Sequence, residues 1–176
     1  MPAPERSTVS ITAEQIAARI SELGAAITQD YAGQRPLLVG VLKGAFIFMA
    51  DLCRAIDLDL EIDFMAVSSY GAGTRSSGVV RIVKDLDIDL TNRHVIVVED
   101  VVDSGLTLAW LRRNLHARGA ASIEVCALLH KDGLQAADPD LKYVGFTIAP
   151  DFVVGYGLDH AELYRNLPGI SIVGVD

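Results

Sequence analysis

The segment from Glu99 to Thr107 holds the densest set of residues in this sequence that could do chemistry. It reads Glu-Asp-Val-Val-Asp-Ser-Gly-Leu-Thr and lies between a predicted buried strand and a predicted helix. A loop that ends in this way at a helix start offers free backbone N–H groups and the hydroxyls of Ser104 and Thr107. Gly105 lets the backbone approach a ligand closely. Together with the helix dipole, these groups predict a pocket for a phosphate monoester.

Two acids, Glu99 and Asp100, come directly before this pocket, where their carboxylates would repel an anion. Their position suits a ligand that also offers hydroxyl groups, shares a cation, or develops positive charge during reaction. A ribose 5-phosphate with Mg²⁺ meets all three conditions, because breaking its C1–O bond creates oxocarbenium character that carboxylates stabilise. The alternative is that Asp103 or Ser104 merely caps the helix. The segment is not a Walker A loop, which needs Gly-x-x-x-x-Gly-Lys-Ser/Thr.

Predicted strands alternate with predicted helices along the chain. The first predicted element is a helix that starts at a capping box of Thr12 and Gln15. Helices are also predicted over 45–55 and 108–118, and strands over 36–42, 57–63, 79–83, 94–98, 123–129, 143–148 and 170–173. This alternation favours an α/β fold with an open, mostly parallel sheet covered by helices on both faces.

Ligands bind such sheets beyond the carboxyl ends of the strands. Four strongly polar residues fall at those predicted ends, which places a functional site there: Lys43, Glu99, Asp100 and Lys131.

Acidic and aliphatic residues alternate strictly from Asp57 to Asp63. The density of acids is compatible with a calcium site. Alternation with a period of two instead favours a strand whose acids share a solvent-exposed face, with Leu58, Leu60 and Ile62 on the other face.

Composition limits the possible classes of function. The chain has 176 residues, which fits one domain over 1–176, and its net charge is -8, from 15 Lys+Arg and 23 Asp+Glu. An acidic chain without a basic cluster argues against nucleic acid as a partner. Cys53 and Cys126 lie in apolar runs and are interpreted as buried thiols in a reducing compartment. With no apolar signal region and no membrane-spanning run, we expect a cytoplasmic protein without a membrane partner.

The string from Val97 to Leu108 resembles the phosphoribosyl-pyrophosphate signature of type I phosphoribosyltransferases, in its hypoxanthine-guanine form. Further motifs of that family recur in the same order at residues 42–44, 69–70, 129–131 and 151–159, so the resemblance spans nearly the whole chain. It implies the type I fold with a small hood region and a mobile hairpin lid. It also implies Mg²⁺ as cofactor, phosphoribosyl pyrophosphate and a 6-oxopurine as substrates, and a homodimer or homotetramer.

The resemblance implies roles for individual residues of the phosphoribosyl site. Glu99 and Asp100 would hold the ribose hydroxyls and a magnesium ion, and Asp159 would be a second magnesium ligand. Asp103 would also be the general acid/base at the purine N7. The 5-phosphate would be held by Asp103, Ser104, Gly105, Leu106 and Thr107.

Further roles concern the purine and the pyrophosphate. Lys131 would bind the 6-oxo group, Phe152 would stack on the purine ring, and the backbone of Val153 would meet its exocyclic edge. Without the resemblance, Lys131 would be interpreted as a surface lysine in a turn and Phe152 as a core residue. The pyrophosphate would be bound by Arg165 and by the backbone N–H groups of the Lys43-Gly44 loop, where the peptide before the lysine can be cis in the family.

The residues of segment 68–78, taken alone, are compatible with an exposed hairpin loop or with a mobile lid, and they favour the loop. The resemblance assigns Ser69 and Tyr70 to the lid.

The activity expected from the resemblance is transfer of 5-phosphoribose to N9 of hypoxanthine or guanine. The alternatives are a phosphoribosyltransferase for uracil, xanthine or adenine, and an RNA-binding regulator.

Overall fold

A computed structural model of the chain describes residues 7–69, 80–134 and 140–174. Within these ranges the predicted helices and strands are present, and two further short strands occur, one before the first helix and one over 153–154. The strands are β1 (Ser7–Ile11), β2 (Leu37–Leu42), β3 (Glu61–Ser69), β4 (Val80–Lys84), β5 (His94–Val102), β6 (Ser122–Lys131), β7 (Tyr143–Ile148), β8 (Val153–Val154) and β9 (Ile170–Val173). The helices are α1 (Ala13–Asp30), α2 (Phe46–Ala55) and α3 (Leu106–Ala117).

The main sheet has six strands in the order β4-β3-β2-β5-β6-β7. All neighbouring pairs are parallel except β3–β4, so the predicted open, mostly parallel sheet is confirmed. Along β5, Ile96 and Val98 belong to the core on the α1 and α2 side, whereas Val95 and Val97 belong to the core on the α3 side. Because helices cover both faces, this central strand is a continuous apolar run.

A second sheet has three antiparallel strands in the order β1-β9-β8 and forms the small hood region that was expected. Strand β1 is not predicted from the sequence, whose first predicted element is helix α1. A five-residue strand carries little pattern of its own, and its partner β9 lies at the other end of the chain. The capping box of Thr12 and Gln15 at the start of α1 is confirmed.

The interpretation of the acidic run 57–63 is wrong in its extent and in its orientation. Strand β3 begins only at Glu61, Ile62 is 41% exposed, and Asp63 is 8% exposed. The Asp63 carboxylate accepts hydrogen bonds from the backbone N–H groups of Asp87 at 2.8 Å and Ile88 at 3.2 Å. The carboxylate thus stabilises the turn after β4, because it accepts hydrogen bonds from two consecutive backbone N–H groups of that turn.

Strand β5 is longer than predicted and includes Glu99 and Asp100, which the sequence analysis had placed in a loop. Helix α3 accordingly begins earlier than predicted, at Leu106. Cys53 and Cys126 are free thiols, as expected, but only Cys126 is buried, whereas Cys53 is partly exposed. In the described part of the chain, no helix is both long and apolar enough to span a bilayer.

Replacing Asp63 with alanine should destabilise the fold by about 2–4 kcal/mol, because two backbone N–H groups lose their acceptor. The measurement is the free energy of unfolding in urea. Asp59, which is exposed and belongs to the same acidic run, provides the matched control, with an expected loss below about 0.5 kcal/mol for Asp59→Ala. Equal losses in the two variants would contradict the assigned role of Asp63.

Candidate active site

The polar residues predicted at the strand ends do meet at one edge of the main sheet. Lys43 follows β2 directly, Glu99 and Asp100 lie near the end of β5, and Lys131 is the last residue of β6. Strand β5 pairs with both β2 and β6 in parallel register, which brings these residues to the same carboxyl edge.

A cavity of about 200 Å³ lies where β5 turns into α3. Gly105 is the N-cap residue of α3, with φ of 74°, and no side chain makes a capping hydrogen bond there. The alternative, in which the side chain of Asp103 or Ser104 caps the helix, is therefore wrong. The cavity is lined by Val41, Glu99, Val101, Val102, Asp103, Ser104, Gly105, Thr107 and Leu108. Its position at a helix N-terminus suits an anion.

The Glu99 side chain lines this cavity and is only 7% exposed. Burial raises the pKa of Glu99 well above its ordinary value, and the charge of neighbouring Asp100 raises it further. Burial thus disfavours the ionised form of this carboxyl group, and a hydroxyl donor or a cation beside it would stabilise that form.

The Asp100 side chain lies instead against the loop after β2. A Cβ atom on Gly44 would lie 1.6 Å from Asp100 Oδ2, so only glycine leaves room for this carboxylate. Burial raises the pKa of Asp100, whereas its hydrogen bond from the Val101 N–H lowers it. The pKa of Asp100 is also lowered by Arg165 and raised by Asp159, which places all three charges in one neighbourhood.

The loop after β2 contains a cis peptide bond between Leu42 and Lys43, as the resemblance had suggested. A second loop packs closely against it, because a Cβ atom on Gly157 would lie 2.1 Å from the Gly44 carbonyl oxygen. Gly157 has φ of 100°, a conformation that favours glycine.

Arg165 holds this second loop together. Its Nη1 donates to the Gly157 carbonyl at 2.8 Å, and its Nη2 lies 2.9 Å from Asp159 Oδ1. Its Nε is buried and has no hydrogen-bond acceptor among the described residues. The free donor identifies a place where an oxygen of a ligand would be bound.

Two of the residues assigned to the purine are adjacent. Lys131 Nζ lies 3.1 Å from Asp103 Oδ1, and the Lys131 side chain is only 13% exposed, so the interpretation as a surface lysine is wrong. Phe152 is 39% exposed and packs edge-on against His160, with ring centroids 5.4 Å apart, so it is not a core residue. Val153 is buried beside it in β8.

The remaining assignments are less complete. Ser69 ends β3, and Tyr70 lies outside the described residues.

Among the described residues, no three His, Cys, Asp or Glu side chains are close enough together to form a metal cage. Asp100 interacts electrostatically with Asp159, whereas Glu99 faces the cavity beside α3. This arrangement suits Mg²⁺, which binds to one or two carboxylates together with waters and substrate phosphates.

Glu162 was missed by the sequence analysis. Its Oε2 lies 2.9 Å from Lys43 Nζ and 3.4 Å from Arg165 Nη2. The only available signal was an acid between Asp159 and Arg165, whereas the contact with Lys43 spans 119 positions of the sequence.

Replacing Glu99 with glutamine should make the fold more stable than the unaltered chain at neutral pH but not in acid. The folded-state pKa of Glu99 is raised above its ordinary value of 4.5. The protonated carboxyl group therefore makes its full contribution to the stability of the fold below pH 4.5. This contribution is lost as the pH rises through the folded-state pKa, whereas glutamine has no proton to lose. Urea unfolding between about pH 4 and about pH 8 measures the difference.

The exposed Glu22 provides the control, since Glu22→Gln removes the same charge from a residue whose side chain is 64% exposed. A stability difference between the Glu99→Gln variant and the unaltered chain that does not change with pH would contradict the assigned cause.

Comparison with known proteins identifies the family to which this chain is related. The sequence model of the phosphoribosyl transferase domain family matches residues 8–161. The hypoxanthine-guanine phosphoribosyltransferase of Mycobacterium avium is 58% identical over 170 residues, covering 93% of this chain and 84% of the relative.

Solved structures agree as well. A hypoxanthine phosphoribosyltransferase from Staphylococcus aureus superposes with a TM-score of 0.92 at 47% identity, covering 95% of this chain and 91% of that chain. A hypoxanthine-guanine phosphoribosyltransferase from Bacillus anthracis, with a HEPES molecule in the active site, gives 0.93 at 43% identity, covering 97% and 100%. The chain therefore belongs to the phosphoribosyltransferase family, in its hypoxanthine-guanine branch.

Proposed function

We propose that this chain transfers 5-phosphoribose from phosphoribosyl pyrophosphate to N9 of hypoxanthine or guanine, giving IMP or GMP and pyrophosphate. The observation that carries the proposal is the pair of Lys131 and Asp103, 3.1 Å apart beside the cavity at the start of α3. In the tautomer that carries its proton on N7, a 6-oxopurine presents an acceptor, O6, next to a donor, N7–H, on one edge. An ammonium donor beside a carboxylate acceptor matches that edge.

The same pair discriminates among bases. Adenine would present an amino group to the Lys131 ammonium, so two donors would face each other. Uracil has no N7 for Asp103 to contact. The pair therefore supports a 6-oxopurine over the other bases considered.

The phosphoribosyl group fits the cavity between β5 and α3. The 5-phosphate would accept hydrogen bonds from the backbone and hydroxyl groups of Ser104 and Thr107. The ribose hydroxyls would donate to the carboxylates of Glu99 and Asp100. Contact with hydroxyl groups and with a developing positive charge would offset the cost of burying two ionised acids.

The pyrophosphate would lie between the loop after β2 and the loop that contains Gly157. Lys43 supplies an ammonium group there, and Arg165 supplies the Nε–H group that lacks an acceptor among the described residues. Asp100 and Asp159 would hold Mg²⁺ together with the substrate. When bound, this ion would neutralise the diphosphate and improve it as a leaving group.

Asp103 would move the proton that the reaction releases. As N9 of the base forms its bond to the anomeric carbon, the bond to the pyrophosphate oxygen breaks. The base then loses its N7 proton, which Asp103 accepts. The Asp103 side chain is 52% exposed, so it can reach a base that enters from solvent.

Other expectations remain predictions. Ser69 lies at the end of β3, next to β2, which is where a lid formed by Ser69 and Tyr70 would begin. A homodimer or homotetramer in the cytoplasm, without nucleic-acid partners, is also part of the proposal.

The proposal is tested by nucleotide formation from phosphoribosyl pyrophosphate and Mg²⁺, with hypoxanthine, guanine, xanthine, adenine and uracil in parallel. We expect turnover with hypoxanthine or guanine and its loss when a chelator removes the metal. Binding of phosphoribosyl pyrophosphate without turnover of any base would instead favour a regulatory protein.

Replacing Asp103 with asparagine should lower kcat by about 10²–10⁴-fold, because proton transfer loses its acceptor. Binding of phosphoribosyl pyrophosphate should change little, since the amide keeps the shape of the carboxyl group. Steady-state kinetics and direct titration measure the two quantities. Unchanged turnover would refute the proton-transfer role.

Replacing Lys131 with alanine should raise KM for the base by about 10- to 100-fold, as expected for the loss of a charged hydrogen bond. KM for phosphoribosyl pyrophosphate should change much less. Lys142 provides a matched control, because its Nζ lies 3.3 Å from Asp30 Oδ2, away from the site. Equal effects of Lys131→Ala on both substrates would count against its contact with the base.

A further inference from the structure

Lys43 and Arg165, the two cations assigned to the pyrophosphate, share one carboxylate in the free chain. Glu162 Oε2 lies 2.9 Å from Lys43 Nζ and 3.4 Å from Arg165 Nη2. Both contacts are ion pairs of the Glu162 carboxylate with a cationic side chain. The Glu162 carboxylate, an anionic group of the protein itself, thus lies between the two cations that would bind the diphosphate.

The turn that carries Glu162 has a constrained backbone. Ala161 and Glu162 have φ angles of 51° and 66°, in the left-handed region that non-glycine residues seldom adopt. The Asp159 Oδ2 atom accepts a hydrogen bond from the Glu162 N–H at 2.8 Å and fixes the start of this turn. The conformation presents the Glu162 side chain toward Lys43, across the space between the two loops.

The carboxylate can also leave this place at little cost. The side chains of Glu162 and Lys43 are 65% and 67% exposed, so separating them opens no buried surface. Exposed ion pairs contribute little to stability and weaken with salt. A diphosphate, which carries several negative charges, is a stronger partner for the same two cations.

We infer that Glu162 is an internal competitor of the diphosphate, which occupies Lys43 and Arg165 in the free chain and must be displaced when substrate or pyrophosphate binds. The inference rests on the proposed function, because it takes this place to be the pyrophosphate site. Glu162 would then set how tightly the diphosphate is held, without contacting the base or the ribose.

Removing the charge of Glu162 should affect binding of the diphosphate but not binding of the base. A neutral side chain at position 162 should tighten binding of Mg²⁺-pyrophosphate by about 2- to 5-fold, the range expected for removing one exposed ion pair. It should leave KM for the base unchanged. The gain should shrink as salt is added, since screening weakens the original pair as well.

The test is calorimetric titration of Mg²⁺-pyrophosphate into the unaltered chain and into variants. Glu162→Gln keeps the size of the side chain and removes its charge. Glu22→Gln is the matched control, because Glu22 is 64% exposed and pairs with Arg19 on α1. A further pair of variants, Lys43→Gln with and without Glu162→Gln, tests whether the effect requires the lysine.

We expect tighter binding for Glu162→Gln, no change for Glu22→Gln, and a smaller gain from Glu162→Gln when Lys43 is already replaced. Equal or weaker binding by a folded Glu162→Gln variant would overturn the inference, and so would an equal gain in the Lys43→Gln background. Failure of the proposed function is distinguishable, because the unaltered chain would then neither bind Mg²⁺-pyrophosphate nor form nucleotide.

Discussion

Two neighbouring carboxylates at the end of an apolar central strand are the constraint on which the rest of the site depends. Strand β5 is covered by helices on both faces, and Glu99 and Asp100 interrupt its apolar run just before Val101 and Val102 end the strand. Adjacent residues of a strand point to opposite faces, so Glu99 lines the cavity beside α3 and Asp100 lies against Gly44. The alternation of side chains along one strand thus divides the site into a sugar-phosphate half, which contains Glu99, and a diphosphate half, which contains Asp100. Burial raises the pKa of both carboxyl groups.

The diphosphate half is built from close backbone contacts. Gly44 leaves room for the Asp100 carboxylate, and Gly157 lets its own loop approach the Gly44 carbonyl. Arg165 then ties this loop together through the Gly157 carbonyl and Asp159. These contacts place the carboxylates of Asp100, Asp159 and Glu162 and the cations of Lys43 and Arg165 around one space. Such a balance suits a ligand that brings both a metal ion and several negative charges, and it explains why the described residues form no complete metal cage.

The sequence was sufficient to predict the features that depend on local pattern. Helix α1 follows from its capping box, and the carboxyl-edge position of Lys131 follows from the alternation of strands and helices. Features that depend on distant contacts were not predictable in this way. Strand β1 pairs across the whole chain, Asp63 is buried because a later turn needs an acceptor, and Glu162 meets Lys43 only in the folded protein. The roles given to Asp103 and Phe152 came from resemblance, because neither residue differs in pattern from a cap or a core residue.

The most direct test of this account is a crystal structure of the chain with Mg²⁺, phosphoribosyl pyrophosphate and a 6-oxopurine analogue in which carbon replaces N9. The account predicts the 5-phosphate at the start of α3 and the ribose against Glu99 and Asp100. The analogue's O6 should lie at Lys131. A sugar phosphate bound elsewhere, for example in the separate cavity between α1 and α2 that is lined by Asp51 and Arg54, would contradict it.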